Sequence, residues 1–515
     1  MKFRLLLASA VLATASISAY ADTFYVSPEG AGEKTGVDAE NAMGVDEFRA
    51  SAAGLTNTSV VTYQFAGGVY NFEKSVKFVY GSAPTLVGNA DGERTVFSAE
   101  NQSPDLDFAN GGGILFIRLD TKDQSATSPK EKPIKISNID FCNLTNGKST
   151  GSGDGVIAAI GLNNSGYVEI ENCSFKNNAS TCNYGGIALE AYRSTVIVRN
   201  CTFEGNKSEA RGGAVFIRSN AGSKGITVFE NCLFKDNEIT GEMGGAVFCN
   251  SVNSTTFVDC TFAGNKAAAK GSVLYCNGVD ATYARKNIFI SCTIADNPCT
   301  EDAPIMVGNG GNAGQLWLMN NIIVQKQGEA REATGAVIGT IATVPVALTS
   351  GGYNYLGSVE NAGEDWAQTT DVLDKDYASI FGNHTINATT GLIKPSVFVE
   401  GATSEQIKTT TSTWGLTNGV TIADRGENVA PGAGAFTQQQ VSTGIADIAN
   451  DADAVKVIAL GDGNYTVAGY EGAVEVYSVS GARVLTAVAP ELNLSGLASG
   501  VYIVRAGKTV AKVVR

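Results

Sequence analysis

Five stretches of the chain repeat one pattern at intervals of about thirty residues. Aligned on cysteine, they place Cys173, Cys201, Cys232, Cys260 and Cys292 at separations of 28, 31, 28 and 32 residues. Two residues later come Phe175, Phe203, Phe234, Phe262 and then Ile294, and three further on Asn178, Asn206, Asn237, Asn265 and Asn297. A Gly-Gly pair follows at Gly185-Gly186, Gly212-Gly213 and Gly244-Gly245, and softens to Gly271-Ser272. A degenerate earlier copy, ISNIDFCNLTN from Ile136, keeps Phe141 but carries Leu144 in the asparagine position. Self-similarity of this period means a solenoid.

Composition decides which solenoid. Each unit is rich in Val, Ile, Thr, Phe, Cys, Gly and Asn and alternates over short runs, which excludes helical repeats. Three short strands fit each unit; around Cys201 they are 195–199, 201–203 and 214–218. Val198 and Cys201 both look inward although they are three apart, so the alternation slips phase at Asn200. A bend resolves the slip, and Asn tolerates the left-handed conformation a tight bend needs. Asn172 and Asn231 repeat it, with Asp259 and Ser291 as substitutes. Three strands per coil, stacked in parallel at about 4.8 Å per coil, make an all-β right-handed parallel β-helix. Equivalent side chains then form ladders of Cys, Phe and Asn. The clearest repeats lie in 136–300, and the helix is expected over 22–440.

The ends read differently. Met1 begins a short positive segment with Lys2 and Arg4, followed by an apolar run too short to span a bilayer and by Ala19-Tyr20-Ala21. This is the pattern of a secretory signal peptide, residues 1–21, cleaved after Ala21. No later apolar run is long enough to cross a membrane as a helix. Removing Lys2 and Arg4 takes the formal net charge from −14 to −16, which disfavours nucleic acid as a partner.

Phe-x-x-Asn followed by Gly-Gly-Ala-[Val/Ile], as in FEGN with GGAV at Phe203 and Gly212, resembles the paired repeat of the chlamydial polymorphic outer-membrane proteins. FYVSPEGAGEKTG from Phe24 and YQFAGGVYNFEKSVKFVYGSAPTLVGN from Tyr63 resemble the opening of secreted β-helices of the pectate-lyase-like superfamily. GGYNYLGS from Gly351 and IADRGENVAPGAGAF from Ile422 resemble the closing segment of bacterial β-helix surface proteins. At the C-terminus, VYSVSGARV, LSGLASGVYIVR and a terminal Lys-Val-Val-Arg resemble the type A sorting domain of the type IX secretion system. The Asn-Pro-rich strand that opens that family is replaced by IALGDGNYTVAGY. The residues themselves read as a small β-sandwich over 454–515, with Val474, Val476 and Val479 facing in, after a linker at 441–453. The resemblance implies export across the outer membrane by the type IX machinery, then attachment at the cell surface or release.

Candidate chemistry is sparse. Cys249 and Cys276 share one offset in successive coils, a spacing that permits a disulfide. A reduced column of small buried hydrophobes is the competing reading. His384, the single histidine, lies in FGNHTINATTG without a nucleophile motif and reads as a surface loop residue. The lyases of pectate-lyase-like folds need clustered acidic calcium ligands beside an Arg or Lys base. The outward column here is Glu171, Arg199, Glu230, Val258 and Ile290, which reads as ordinary cross-strand pairing. One further column, Leu189, Phe216, Phe248 and Tyr275, is a candidate ligand-binding ladder. If Val215, Val247 and Leu274 face inward, these aromatics form an exposed ladder suited to sugar rings; if outward, the aromatics are core. Assigning Glu190 to the column of Ile217, Cys249 and Cys276, with its charge facing out, favours core.

The expectation is therefore an exported surface or extracellular β-helix protein for adhesion or glycan recognition, without catalysis, cofactor or metal. Glycans or surface molecules are its expected partners. The alternatives are a polysaccharide lyase or glycoside hydrolase on the same scaffold, calcium-dependent if a lyase, and a structural surface-layer protein.

Overall fold

In the computed structural model, the described residues lie between 22 and 514. Excepted are 57–58, 80–82, 101–111, 119–132, 147–156, 181–186, 210, 219–225, 242, 251–253, 269, 278–285, 300–302, 309–314, 327–335, 341–345, 361–364, 386, 388–392, 394, 398, 417–431, 436–455, 462–463, 469, 471, 479–481, 499 and 508. Ala21 and the linker at 441–453 thus fall outside the described residues. The chain divides into two compact units, Met1–Gln438 and Gln439–Arg515.

One coil shows how the repeat becomes the first unit. Thr227–Glu230 forms a strand of what we call sheet 1, and Leu233–Lys235 continues in sheet 2. The two-residue strand Glu238–Ile239 leads to the Gly-Gly corner, after which Val247–Asn250 runs in sheet 3. Thr255–Val258 then opens the next coil, parallel to Thr227–Glu230 and in register with it. Sheet 2 alone stacks ten such strands. The phase slip is a left-handed residue in each of the five cysteine repeats: φ is 54° at Asn172, 53° at Asn200, 51° at Asn231, 52° at Asp259 and 53° at Ser291.

The interior is a set of columns. Phe175, Phe203, Phe234 and Phe262 stack face to face, with centroids 4.6–4.8 Å apart and planes within 5°. Phe229 and Phe257 form a second stack at 5.2 Å and meet the first edge-on, as Phe229 does Phe234 at 73°. From Asn206 to Asn297 each asparagine of the inner ladder uses all of its side-chain capacity. Asn237 donates through Nδ2 to the Phe203 carbonyl and to Asn265 Oδ1, both at 2.9 Å. Its Oδ1 accepts from Asn206 N at 3.2 Å and Asn206 Nδ2 at 2.8 Å. A buried amide is tolerable because no donor or acceptor is left over. At the degenerate coil, the Leu144 amide still donates to Asn178 Oδ1 at 3.0 Å.

Later and earlier segments close this solenoid. Helix Val45–Ala53 covers its first coils, with Phe48 packed against Tyr63 and Phe65 at 4.9 and 5.0 Å. Helix Ser404–Thr413 lies on the outside of sheet 1, where Val258, Ile290 and Met319 meet Ile407. This explains why the outward column of Glu171, Arg199 and Glu230 turns apolar at Val258. The outside of sheet 2 is covered at Ile322 and Val324 by Tyr377, Ile380 and Phe381.

The second unit is two antiparallel sheets around one core. Lys456–Gly461, Asn464–Ala468 and Glu491–Asn493 form one; Arg483–Val488, Ala473–Ser478, Val501–Ala506 and Thr509–Val514 form the other. Val474 and Val476 are fully buried, as their alternation requires; Val479 lies outside the described residues.

Candidate functional site

Sheet 3 has two faces, and its register separates them. Leu189, Val215, Val247 and Leu274 align and line the interior. So do Ala191, Ile217, Cys249 and Cys276. Pointing the other way are Glu190, Phe216, Phe248 and Tyr275, in register with one another. This corrects two assignments from the sequence. Leu189 does not stand in the aromatic column, and Glu190 does not share the column of Ile217, Cys249 and Cys276. Four positions separate Gly186 from Glu190, but three separate Gly213 from Phe216, so alignment on the glycines runs one residue out. The rule that a charge faces outward holds, and it carries Phe216, Phe248 and Tyr275 outward with Glu190.

Outward does not mean open. Phe216, Phe248 and Tyr275 are 1%, 3% and 3% exposed and pack with Ala303, Met306 and Ala336 as an apolar cluster separate from the main core. The strip that precedes each Gly-Gly folds over them: Arg211, Met243 and Lys270 bridge in parallel, and the Arg211 guanidinium sits 5.6 Å from the Phe248 ring centre. Gly244 makes the fold-back possible. Its φ is 82°, and a Cβ there would stand 2.6 Å from the Val247 carbonyl oxygen.

The open part of this face is the next column, Asn163, Tyr192, Arg218 and Asn250. Arg218 Nε donates to Glu190 Oε1 at 2.7 Å. Glu190 is 3% exposed, and a carboxylate so deep persists because the guanidinium pairs it. Tyr192 is half-buried, with the Arg218 guanidinium 4.3 Å from its ring centre and that of Arg193 at 4.8 Å. Arg193 occupies the corner between sheets 3 and 1, within the continuous strand Leu189–Arg199, at φ 50°. Among the described residues its buried Nε has no hydrogen-bond partner. The column combines an aromatic ring, guanidinium donors and amides, the groups that hold hydroxyls and carboxylates. Sequence reasoning missed Tyr192, Arg193 and Arg218, since nothing in the repeat marks them.

The remaining sequence candidates are quickly placed. Cys249 and Cys276 stack in register, and both are free thiols. In the cysteine column, Cys260 Sγ donates to the Phe229 and Val258 carbonyls at 3.4 and 3.3 Å. Burial pushes the thiols of Cys201, Cys232 and Cys260 well up. His384 is exposed, just beyond helix Tyr377–Phe381. Arg199 Nε meets Glu230 Oε2 at 2.6 Å, the cross-strand pairing expected of that column. Among the described residues no group of three or more His, Cys, Asp or Glu could hold a metal, and no helix is long and apolar enough to cross a membrane.

The family model of the right-handed β-helix region matches residues 122–268, which take in the repeats around Cys173, Cys201 and Cys232. No curated protein matches the chain. Among solved structures, the crystal structure of pectate lyase Pel9A aligns at 14% identity and a TM-score of 0.38, covering 81% of this chain and 96% of its own. The fold is a right-handed parallel β-helix followed by a small all-β unit.

Proposed function

We propose that this chain is an exported β-helix protein, displayed at the cell surface or released, that recognises glycans without altering them. The observation that carries the reading is the open column of sheet 3. Asn163, Tyr192, Arg218 and Asn250 stand in register on successive coils. That presents amide, aromatic and guanidinium groups at intervals of about 4.8 Å. The inner asparagine ladder holds the coils in fixed register, so the column is pre-organised and binding orders little that is loose. Phe216, Phe248 and Tyr275 flank this column on the same face, with the Arg218 guanidinium 5.8 Å from the Phe216 ring centre, in place of the direct stacking their sequence pattern first suggests.

Export rests on the two termini. The pattern ending at Ala21 supports signal cleavage, and the sorting-domain likeness of the C-terminal unit supports the type IX machinery as its transport partner. N-terminal sequencing of the mature protein should begin at Asp22.

The test of recognition is a glycan array probed with the full-length protein, where binding to a defined glycan class is expected. Catalysis is tested in parallel by absorbance at ~235 nm with polyuronates and calcium. A growing unsaturated product would refute recognition without chemistry.

A further inference from the structure

We infer that Arg193 and Arg218, held by Tyr192, form a subsite for the carboxylate of an acidic sugar; the inference rests on the glycan reading above and names the sugar class. Charge is the first argument. Glu190 and Arg218 neutralise each other at 2.7 Å. Arg193 makes no ion pair among the described residues, so the cluster keeps one positive charge that its own side chains do not balance.

Unused hydrogen bonding is the second. Among the described residues the buried Arg193 Nε has no acceptor, a costly state for a guanidinium, which ordinarily satisfies its fork. The acceptor that completes a planar fork is a planar anion with two oxygens.

Backbone conformation is the third. In the preceding coil the same corner is turned by Gly166, at φ 70°, a residue that tolerates the left-handed conformation. Arg193 takes φ 50°, a conformation that long L side chains seldom adopt. An outlier held where a tolerant residue would serve is a mark of function.

A sugar is the fitting source of the carboxylate because of what flanks it. Tyr192 fixes both guanidinium groups at 4.3 and 4.8 Å from its ring centre by cation–π attraction. Asn163 and Asn250, one coil to either side in register, supply amides that pair with ring hydroxyls.

The experiment titrates the full-length protein with glucuronate, galacturonate and sialate oligosaccharides and with their carboxyl methyl esters, by calorimetry. At least one free acid should bind, with its ester at least tenfold weaker. Arg193→Gly should lose at least tenfold in affinity while the melting temperature stays or rises, because glycine accepts the left-handed backbone. Tyr192→Leu should weaken binding in the same direction. Equal binding of acid and ester would overturn the carboxylate subsite and leave glycan recognition standing. Array-wide absence of glycan binding would overturn both. A glutamate-rich peptide binding as tightly as the best sugar would overturn the assignment to a sugar. A lowered melting temperature with unchanged affinity in Arg193→Gly would make Arg193 a structural residue only and overturn the inference.

Discussion

Replacing Asn237 with alanine tests the idea that the inner amide ladder holds the coils in register. The side chain makes four hydrogen bonds, two given and two accepted, all buried. Its removal strands the Asn206 amide N–H, whose partner is Asn237 Oδ1. A stranded buried donor costs about 1–3 kcal/mol, and the other three bonds about 1 kcal/mol each, so the loss should be about 4–6 kcal/mol. Asn178 is the internal control. It stands at the end of the ladder, where the preceding rung is Leu144 and only a backbone amide reaches its Oδ1. Asn178→Leu should therefore cost about 1 kcal/mol less than Asn237→Ala. Solenoids open locally and need not unfold in two states, so the assay is hydrogen exchange read at the peptide containing Asn206. The reasoning fails if Asn237→Ala lowers the local opening free energy by less than about 1 kcal/mol, or if Asn178→Leu costs the same or more.

Three further outcomes are expected. Gly244→Ala should destabilise by at least ~2 kcal/mol, since it combines φ 82° with a Cβ 2.6 Å from the Val247 oxygen; chemical denaturation showing an unchanged midpoint would refute the fold-back geometry. Burial works to raise the pKa of Glu204, but Lys235 Nζ at 2.6 Å, aided by Lys176, holds the carboxyl below its ordinary value. Its contribution to stability is therefore full above the unfolded carboxylate pKa of ~4.3 and is lost as pH falls through the lower folded value. Lys235→Met should flatten that acid limb in thermal melts across pH, and an unaltered limb would sink the assignment. Among the nine described cysteines, the half-buried Cys142 should react with a thiol reagent at pH 8 long before the eight buried ones; peptide mapping that finds Cys232 labelled as early would contradict the closed core.

The ladders were legible in the sequence because each is one residue type at one offset. Asn200 announced a bend through a phase slip, and its φ of 53° follows from the need to point Val198 and Cys201 the same way. The two faces of sheet 3 were harder. The charge of Glu190 indicated its direction correctly, but a one-residue length difference after the glycines attached it to the wrong neighbours. Nor could spacing reveal that Arg211 and Met243 fold back over outward rings, because cover is supplied by tertiary packing, not by the strand that is covered. The docking of helix Ser404–Thr413 left a readable trace, the change from Glu230 to Val258 and Ile290 in one column, but its partner lies more than a hundred residues downstream. Arg193 left none, since residue type does not encode the conformation of a corner that the preceding coil turns with Gly166.

The docking of Ser404–Thr413 onto sheet 1 also orders events in time. Coils formed around Val258, Ile290 and Met319 present an apolar stripe until a segment far later in the chain arrives to cover it. Until then the growing solenoid carries both a sticky flank and an unpaired leading strand, the two features that recruit other chains. A chain interrupted before Ser404 would keep both, and should accumulate as end-joined or side-joined assemblies instead of single molecules. The helix thus acts as a latch whose closing reports that synthesis has passed the last coil.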